Sequence, residues 1–191
     1  MAKTQSNHRY TVEEYMALEK ASERRYEYRD GEIVCMSGGT LNHYRIEANL
    51  FGLLREKLKG SACRPFTADA AIKSLASPYY RYPDASVVCG EIIIEKVLGI
   101  DAITNPIAIF EVLSLETEEY DKNEKRKIYQ AISTLKDYLV VAQDSAHIMR
   151  YTKQGDLWHR NEAADLSASI EVPSLNIVLP FADIYDGVTF E

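Results

Sequence analysis

Between Thr40 and about Lys59 the apolar positions Ile46, Leu50, Leu53, Leu54 and Leu58 recur at helical spacing, and the run stops at Gly60. That period predicts a helix with one buried face. A shorter helix is predicted at "YTVEEYMAL", where Thr11 with Glu14 three residues on forms a capping box. Between these two, "RYEYRDGEIVCM" alternates on both sides of Asp30-Gly31, the signal of a β-hairpin. Strands are predicted around "DAAIKSL" and "DASVVC", on either side of the turn-rich "ASPYYRYP", and "EIIIEKVL" reads equally as strand or helix. The strand "IAIFEVLS" then leads into a helix from about Glu118 to Thr134. "DYLVV", "AHIMRYT" and "GDLWHR" read as an antiparallel run, and "SASIEVPSLNIVLPFADIY" as a short strand and a final helical turn. The order fits an α+β or α/β fold, with helices flanking a central mixed sheet.

Inside the strand "IAIFEVLS" one residue breaks the pattern. Period two puts Ile107, Ile109, Glu111 and Leu113 on one face, so a carboxylate shares a face with apolar neighbours. An unpartnered buried carboxylate costs several kcal/mol or more. Either Glu111 belongs to a site, where such groups cluster, or it sits in an ion pair at a sheet edge or faces solvent.

Composition narrows the rest. The chain of 191 residues carries 46% hydrophobic and 27% charged residues, with no repeat and no linker, which fits one soluble domain spanning 1–191. Neither a signal-type apolar stretch nor a membrane-length run occurs, so a cytoplasmic location is expected. Cys35, Cys63 and Cys89 lack CxxC spacing, and three reduced thiols are expected. A formal charge of −7 disfavours broad attraction to nucleic acid, yet a carboxylate cleft built for a divalent cation would contribute to that sum.

Candidate chemistry gathers at few positions. Asp84 follows Pro83 and precedes an apolar strand, which suits either a turn residue or a metal ligand. Asp121, Lys125 and Tyr129 recur every four residues and lie on one helical stripe beside Ile128, Ile132 and Leu135, with Arg126 and Lys127 further round. Lys125 is thereby the cation best placed against the sheet, although an Asp121–Lys125 surface pair fits the spacing as well. His43 shares a helix face with Ile46 and Leu50, as a core histidine or a ligand. Glu27 alternates with Tyr26 and Tyr28 on a hairpin strand. There is no GxSxG, no P-loop, no dinucleotide loop and no HExxH. "SGGT" before the long helix is a weak anion-binding signal.

In order and spacing, "YEYRDGEIVCMSGG", "NHYRI", "YPDASVV", "AIFEVLS", "YDKNEKRKIYQ" and "LKDYLVV" together resemble the Uma-two family of restriction-endonuclease-like proteins, within the PD-(D/E)xK nuclease superfamily. The resemblance covers about residues 8–186 and implies a restriction-endonuclease-like α/β core there, with Asp84 and Glu111 as carboxylates for Mg²⁺ or Mn²⁺. In the superfamily a lysine stands two residues after the second acid, where this chain has Leu113. The resemblance implies that Lys125 takes over that role from the helix, and that Glu27, His43, Asp121 and Tyr129 line the site. The implied activity is phosphodiester hydrolysis in nucleic acid, DNA first, by a possible homodimer. A catalytically silent binding or interaction module on the same fold, or a hydrolase of small phosphoesters, is the alternative.

Overall fold

The computed structural model describes residues 8–22, 24–36, 39–77, 79–97, 99–114 and 118–190. They form two compact units, Met1–Gly38 and Gly39–Glu191. In the first, α1 (Val12–Ala21) begins at the Thr11 and Glu14 capping box, with Thr11 N donating to Glu14 at 2.7 Å. Strands β1 (Tyr26–Arg29) and β2 (Glu32–Cys35) then pair antiparallel. Asp30 and Gly31 both take positive φ, 51° and 95°, as a two-residue turn that matches strand twist requires.

The second unit opens with α2 (Leu41–Lys57), capped by Thr40, whose hydroxyl accepts from His43 N at 3.1 Å. Next come β3 (Cys63–Thr67), β4 (Ile72–Lys73), β5 (Tyr80–Arg81), β6 (Ala85–Cys89), β7 (Ile94–Val97), β8 (Ile100–Ile103) and β9 (Ala108–Val112). A helical stretch follows in three parts: α3 (Glu118–Tyr120), a π-helical turn Asp121–Lys125, and α4 (Arg126–Gln130). The chain closes with β10 (Asp137–Val141), β11 (His147–Gln154), β12 (Leu157–Ala164), β13 (Ser169–Val172), β14 (Ile177–Pro180) and α5 (Phe181–Ile184).

A six-stranded sheet in the order β12-β11-β10-β9-β6-β3 is the frame. The β9–β10 pair is parallel and its neighbours are antiparallel, so the sheet is mixed. Every residue of β9 and β10 is buried, because both faces are covered, and their sequences are accordingly near-continuous apolar runs. On one face Phe110, Val112, Leu139 and Val141 pack with Ile46, Leu50 and Leu54 of α2 and Phe181 and Ile184 of α5. Ile109, Leu113, Tyr138 and Val140 pack on the other face with Tyr129, Ile132 and Leu135. Smaller sheets, β5-β4-β8-β7 and β13-β14, complete the unit.

Several expectations shift. "EIIIEKVL" resolves as strand β7, paired with a strand β8 that the sequence pattern did not separate. Strand β3 passed unread because Pro65 lies within it; β3 is a sheet edge, where a missing N–H is tolerated. The predicted helix to Thr134 ends at Gln130. Cys63 and Cys89 are cross-strand partners and form a disulfide, which corrects the expectation of three reduced thiols; the pairing arises from strand register and not from sequence spacing. Among the described residues no helix is long and apolar enough to cross a membrane.

Leu50 is fully buried between α2 and the sheet. Leu50→Ala is expected to cost about 2–5 kcal/mol of unfolding free energy, through lost burial and the cavity left behind. Urea denaturation checks this, and a loss below about 1 kcal/mol would show that α2 does not hold the sheet as described.

Candidate functional site

The sheet brings chemistry to the start of β6 and the middle of β9. Pro83 fixes an extended entry to β6, and Asp84 stands where that strand begins. Its Oδ2 accepts a hydrogen bond from Val112 N at 2.5 Å, so the carboxylate is tied to the backbone just after Glu111. Its Oδ1 lies 3.3 Å from His43 Nε2 on α2. One turn along α2 is Glu47. A ring nitrogen of His43 and one carboxylate oxygen each from Glu47 and Asp84 all lie within 4.8 Å of one another.

Glu111 is only 2% exposed. Its two oxygens lie 2.9 and 3.0 Å from Lys125 Nζ, so the ammonium straddles the carboxylate. Lys125, itself 1% exposed, also donates to the Tyr82 carbonyl at 3.1 Å and stands 3.7 Å from Asp121 Oδ1. The Tyr138 hydroxyl donates to the Asp121 carbonyl at 2.9 Å, and the ring of Tyr129 centres 6.0 Å from Lys125 Nζ. Asp121 and Lys125 are the first and last residues of the π-helical turn. The i→i+5 bonding of such a turn widens the helix and brings residues four apart more nearly into line, which aims both side chains at the sheet.

These surroundings set the proton affinities. Burial pushes the Glu111 carboxyl well above the ordinary carboxylate range; Lys125 opposes this, and the charges of Asp121 and Asp84 add to it. For His43, burial alone would favour the neutral ring, but the hydrogen bond and charge of Asp84, with help from Glu47 and Asp121, outweigh it and raise the imidazole's pKa. Burial, then Glu111, Asp121 and Asp84, hold the Tyr138 phenol well above its usual value, so it serves as a hydrogen-bond donor.

The residues singled out in the sequence thus fall into two neighbouring sets. Asp84 stands with His43, and Glu111 with Lys125, Asp121 and Tyr129; Asp84 links the sets through Val112 and through the field it exerts on Glu111. Glu47 was missed. Its signal is the i,i+4 spacing from His43, which places both on one helix face. Glu27 lies in the first unit, fully buried, where its carboxylate accepts from Arg29 at 3.2 Å. Of "SGGT", Ser37 and Gly38 lie outside the described residues.

Comparison with known proteins agrees with this architecture. A family model described as "Putative restriction endonuclease", Uma2, matches residues 12–182. Two uncharacterized proteins of Synechocystis sp. are each 32% identical: one over 185 residues, covering 93% of this chain and 92% of the relative, the other over 168 residues, covering 87% and 94%. The crystal structure of a "putative nuclease belonging to DUF820" from Anabaena variabilis shares the fold with a TM-score of 0.71 at 18% identity, covering 94% of this chain and 99% of that one. The restriction-endonuclease-like core expected from the sequence is therefore the fold observed. The chain therefore belongs to the Uma2 family, the family of that "Putative restriction endonuclease" model.

Proposed function

We propose that the chain is a divalent-metal-dependent nuclease that hydrolyses phosphodiester bonds, with DNA as the first substrate to test. The observation that carries this reading is the juxtaposition of a three-donor group, His43, Glu47 and Asp84, with a buried Glu111–Lys125 pair on the same sheet. The donor set suits a divalent ion: two hard carboxylates and one imidazole, close enough together to share it. His43 presents its Nε2 to Asp84 at 3.3 Å, so that nitrogen would join the carboxylates around such an ion. Asp84 would anchor the ion, with His43 and Glu47 beside it and Glu111 as the second carboxylate of the strand pair. When bound, the ion supplies a more acidic water and charge stabilisation at phosphorus.

This chain's own residues do the rest. Val112 N holds Asp84 in one orientation, so the anchor is preset. Glu111 orients the attacking water, whose oxygen bonds to phosphorus as the bond to the leaving oxygen breaks. Lys125 offsets the negative charge that grows on the phosphoryl oxygens.

A second reading has its own support. Lys125 and Glu111 are 1% and 2% exposed, so neither tip reaches a substrate unless the surrounding helix shifts. That degree of closure favours a silent module that keeps the ion pair for structure.

Two experiments separate these readings. Saturating Mn²⁺ or Mg²⁺, at about a hundred times its Kd, is expected to stabilise the native state by about 2.7 kcal/mol, read as a rise in melting temperature. His43→Ala and Glu47→Gln should diminish that rise, and an unchanged melting temperature in wild type removes the metal site. In metal-dependent nicking of plasmid and single-stranded DNA, Glu111→Gln and Lys125→Met should each lower the rate by about a hundredfold or more, with Arg126→Met as the matched control. Equal rates in wild type and Glu111→Gln assign the nicking to a contaminant.

A pH test follows from His43. Its pKa is raised in the folded protein, so its contribution to stability is full below the ordinary histidine value of about 6.5 and is lost as pH rises through the folded value. In the metal-free protein, the stability gap between wild type and His43→Gln should therefore shrink as pH rises from below about 6.5 through the folded value. A gap that widens with pH contradicts the His43–Asp84 contact.

A further inference from the structure

On the sheet face that carries Glu111, the register lines up side chains in rows. Glu111 stands beside Val140, and Val140 beside Met149. The next row toward the strand ends holds Leu113, Ala142 and His147, joined by the Leu113 N to Val141 O and Ala142 N to His147 O bonds. A cavity of about 220 Å³ opens over these rows, walled on one side by Glu118 and Lys122 and on the other by the loop Gln143, Asp144 and Ser145. Lys122 lies one turn before Lys125. The cavity therefore adjoins the Glu111–Lys125 pair along both the strand and the helix.

Resting on the nuclease reading, we propose that this cavity receives one unstacked nucleobase with an amine at the position where guanine and uracil carry a carbonyl, adenine or cytosine, from the nucleotide next to the scissile phosphate.

Charge excludes a phosphate. Lys122 is ion-paired with Glu118, His147 Nε2 lies 3.3 Å from Glu162, and Asp144 adds a further carboxylate to the wall. What remains suits a neutral group. The volume is below the roughly 300–1,000 Å³ of pockets for drug-sized ligands, so one ring system fits and a larger ligand does not. Leu113, Val140 and Met149, all nearly buried, form a narrow apolar floor within a mostly polar lining, and a thioether packs favourably against an aromatic ring. The Asp144 carboxylate, whose Oδ1 accepts from Ser145 at 3.1 Å, offers an acceptor to an amine and repels a carbonyl edge. A base inside a duplex does not reach such a cavity, so the substrate is single-stranded, frayed or flipped out at this position.

The experiment uses metal-free protein with ¹³C-methyl methionine, where Met149 reports on the cavity floor and Met16 and Met36, in the first unit, serve as internal references. Adenosine and cytidine are expected to shift the Met149 methyl resonance and leave the references in place. Uridine and inorganic phosphate should not. Asp144→Asn should weaken the adenosine response about tenfold, and Ala142→Phe, which fills the cavity, should abolish it with circular dichroism unchanged. In EDTA, a single-stranded oligonucleotide of adenines should bind about tenfold more tightly than its uniformly abasic counterpart, the loss that one seated base is worth. Equal responses to uridine and adenosine, a response to phosphate, or adenosine binding that survives both variants overturns the proposal. DNA nicking without a Met149 response sinks this subsite alone, whereas a Met149 response without nicking sinks the nuclease reading and keeps a nucleobase site.

Discussion

The buried contact between Glu111 and Lys125 constrains everything around it. An isolated ionised carboxylate in the middle of a fully covered strand costs several kcal/mol, and this one is offset by an ammonium at 2.9 Å, itself held by the Tyr82 carbonyl and Asp121. Such a pair is a poor device for stability alone. A well-packed apolar replacement is often neutral or better by about 1–4 kcal/mol, while removing one partner costs about 3–5 kcal/mol. A chain that keeps the pair in its central strand needs neighbours placed to satisfy it: the π-helical turn that carries Lys125, the Tyr82 carbonyl that accepts from Lys125, and the Tyr138 hydroxyl that ties the Asp121 carbonyl.

The sheet divides the chemistry between its faces. The α2 face contributes His43 and Glu47, and the opposite face contributes Glu111 and Lys125. Asp84, at the start of an interior strand, meets both, since one oxygen approaches His43 and the other accepts from the backbone beside Glu111. The local balance of charge is acidic. Glu111 and Asp121 flank Lys125, while Asp84 and Glu47 stand with His43; burial first, and then the charges of Asp121 and Asp84, raise the Glu111 carboxyl, and Asp84 with Glu47 and Asp121 raises the His43 imidazole. A cation relieves that repulsion without any change of side chain, which is why the overall charge of −7 is compatible with phosphate chemistry.

What the sequence disclosed depended on how local each feature is. The long helix, the hairpin at Asp30-Gly31 and the strands β9 and β10 follow from apolar period and turn chemistry within a dozen residues, and they stand as read. Glu111 was legible because it interrupts an apolar run, and Lys125 because it lies on the stripe that meets the sheet. The rest required tertiary pairing. Glu47 has the same spacing from His43 as any surface i,i+4 pair, and only the arrival of Asp84 from a separate strand gives it meaning. The Tyr82 carbonyl as a partner of Lys125, and the Cys63–Cys89 bond, arise from strand entry and register, which spacing does not encode. A π-helical turn leaves the polar pattern of "DKNEK" unchanged, so the sequence read as α-helix.

Leu113 gains significance from these same relations. By resemblance, the position two residues after the second acid belongs to a lysine, and a strand lysine there would project over the row formed with Ala142 and His147. In this chain the cation comes instead from the helix, at Lys125, and contacts Glu111 from above the sheet. The strand position is then free to be apolar, and Leu113 becomes floor for the cavity beside the pair. Moving the ammonium from strand to helix keeps one positive charge next to the carboxylate while exchanging a charged surface for an apolar one two residues along. On the proposed nuclease reading, a lysine side chain at position 113 would favour a phosphate beside the pair, whereas the apolar floor that Leu113 provides favours a ring.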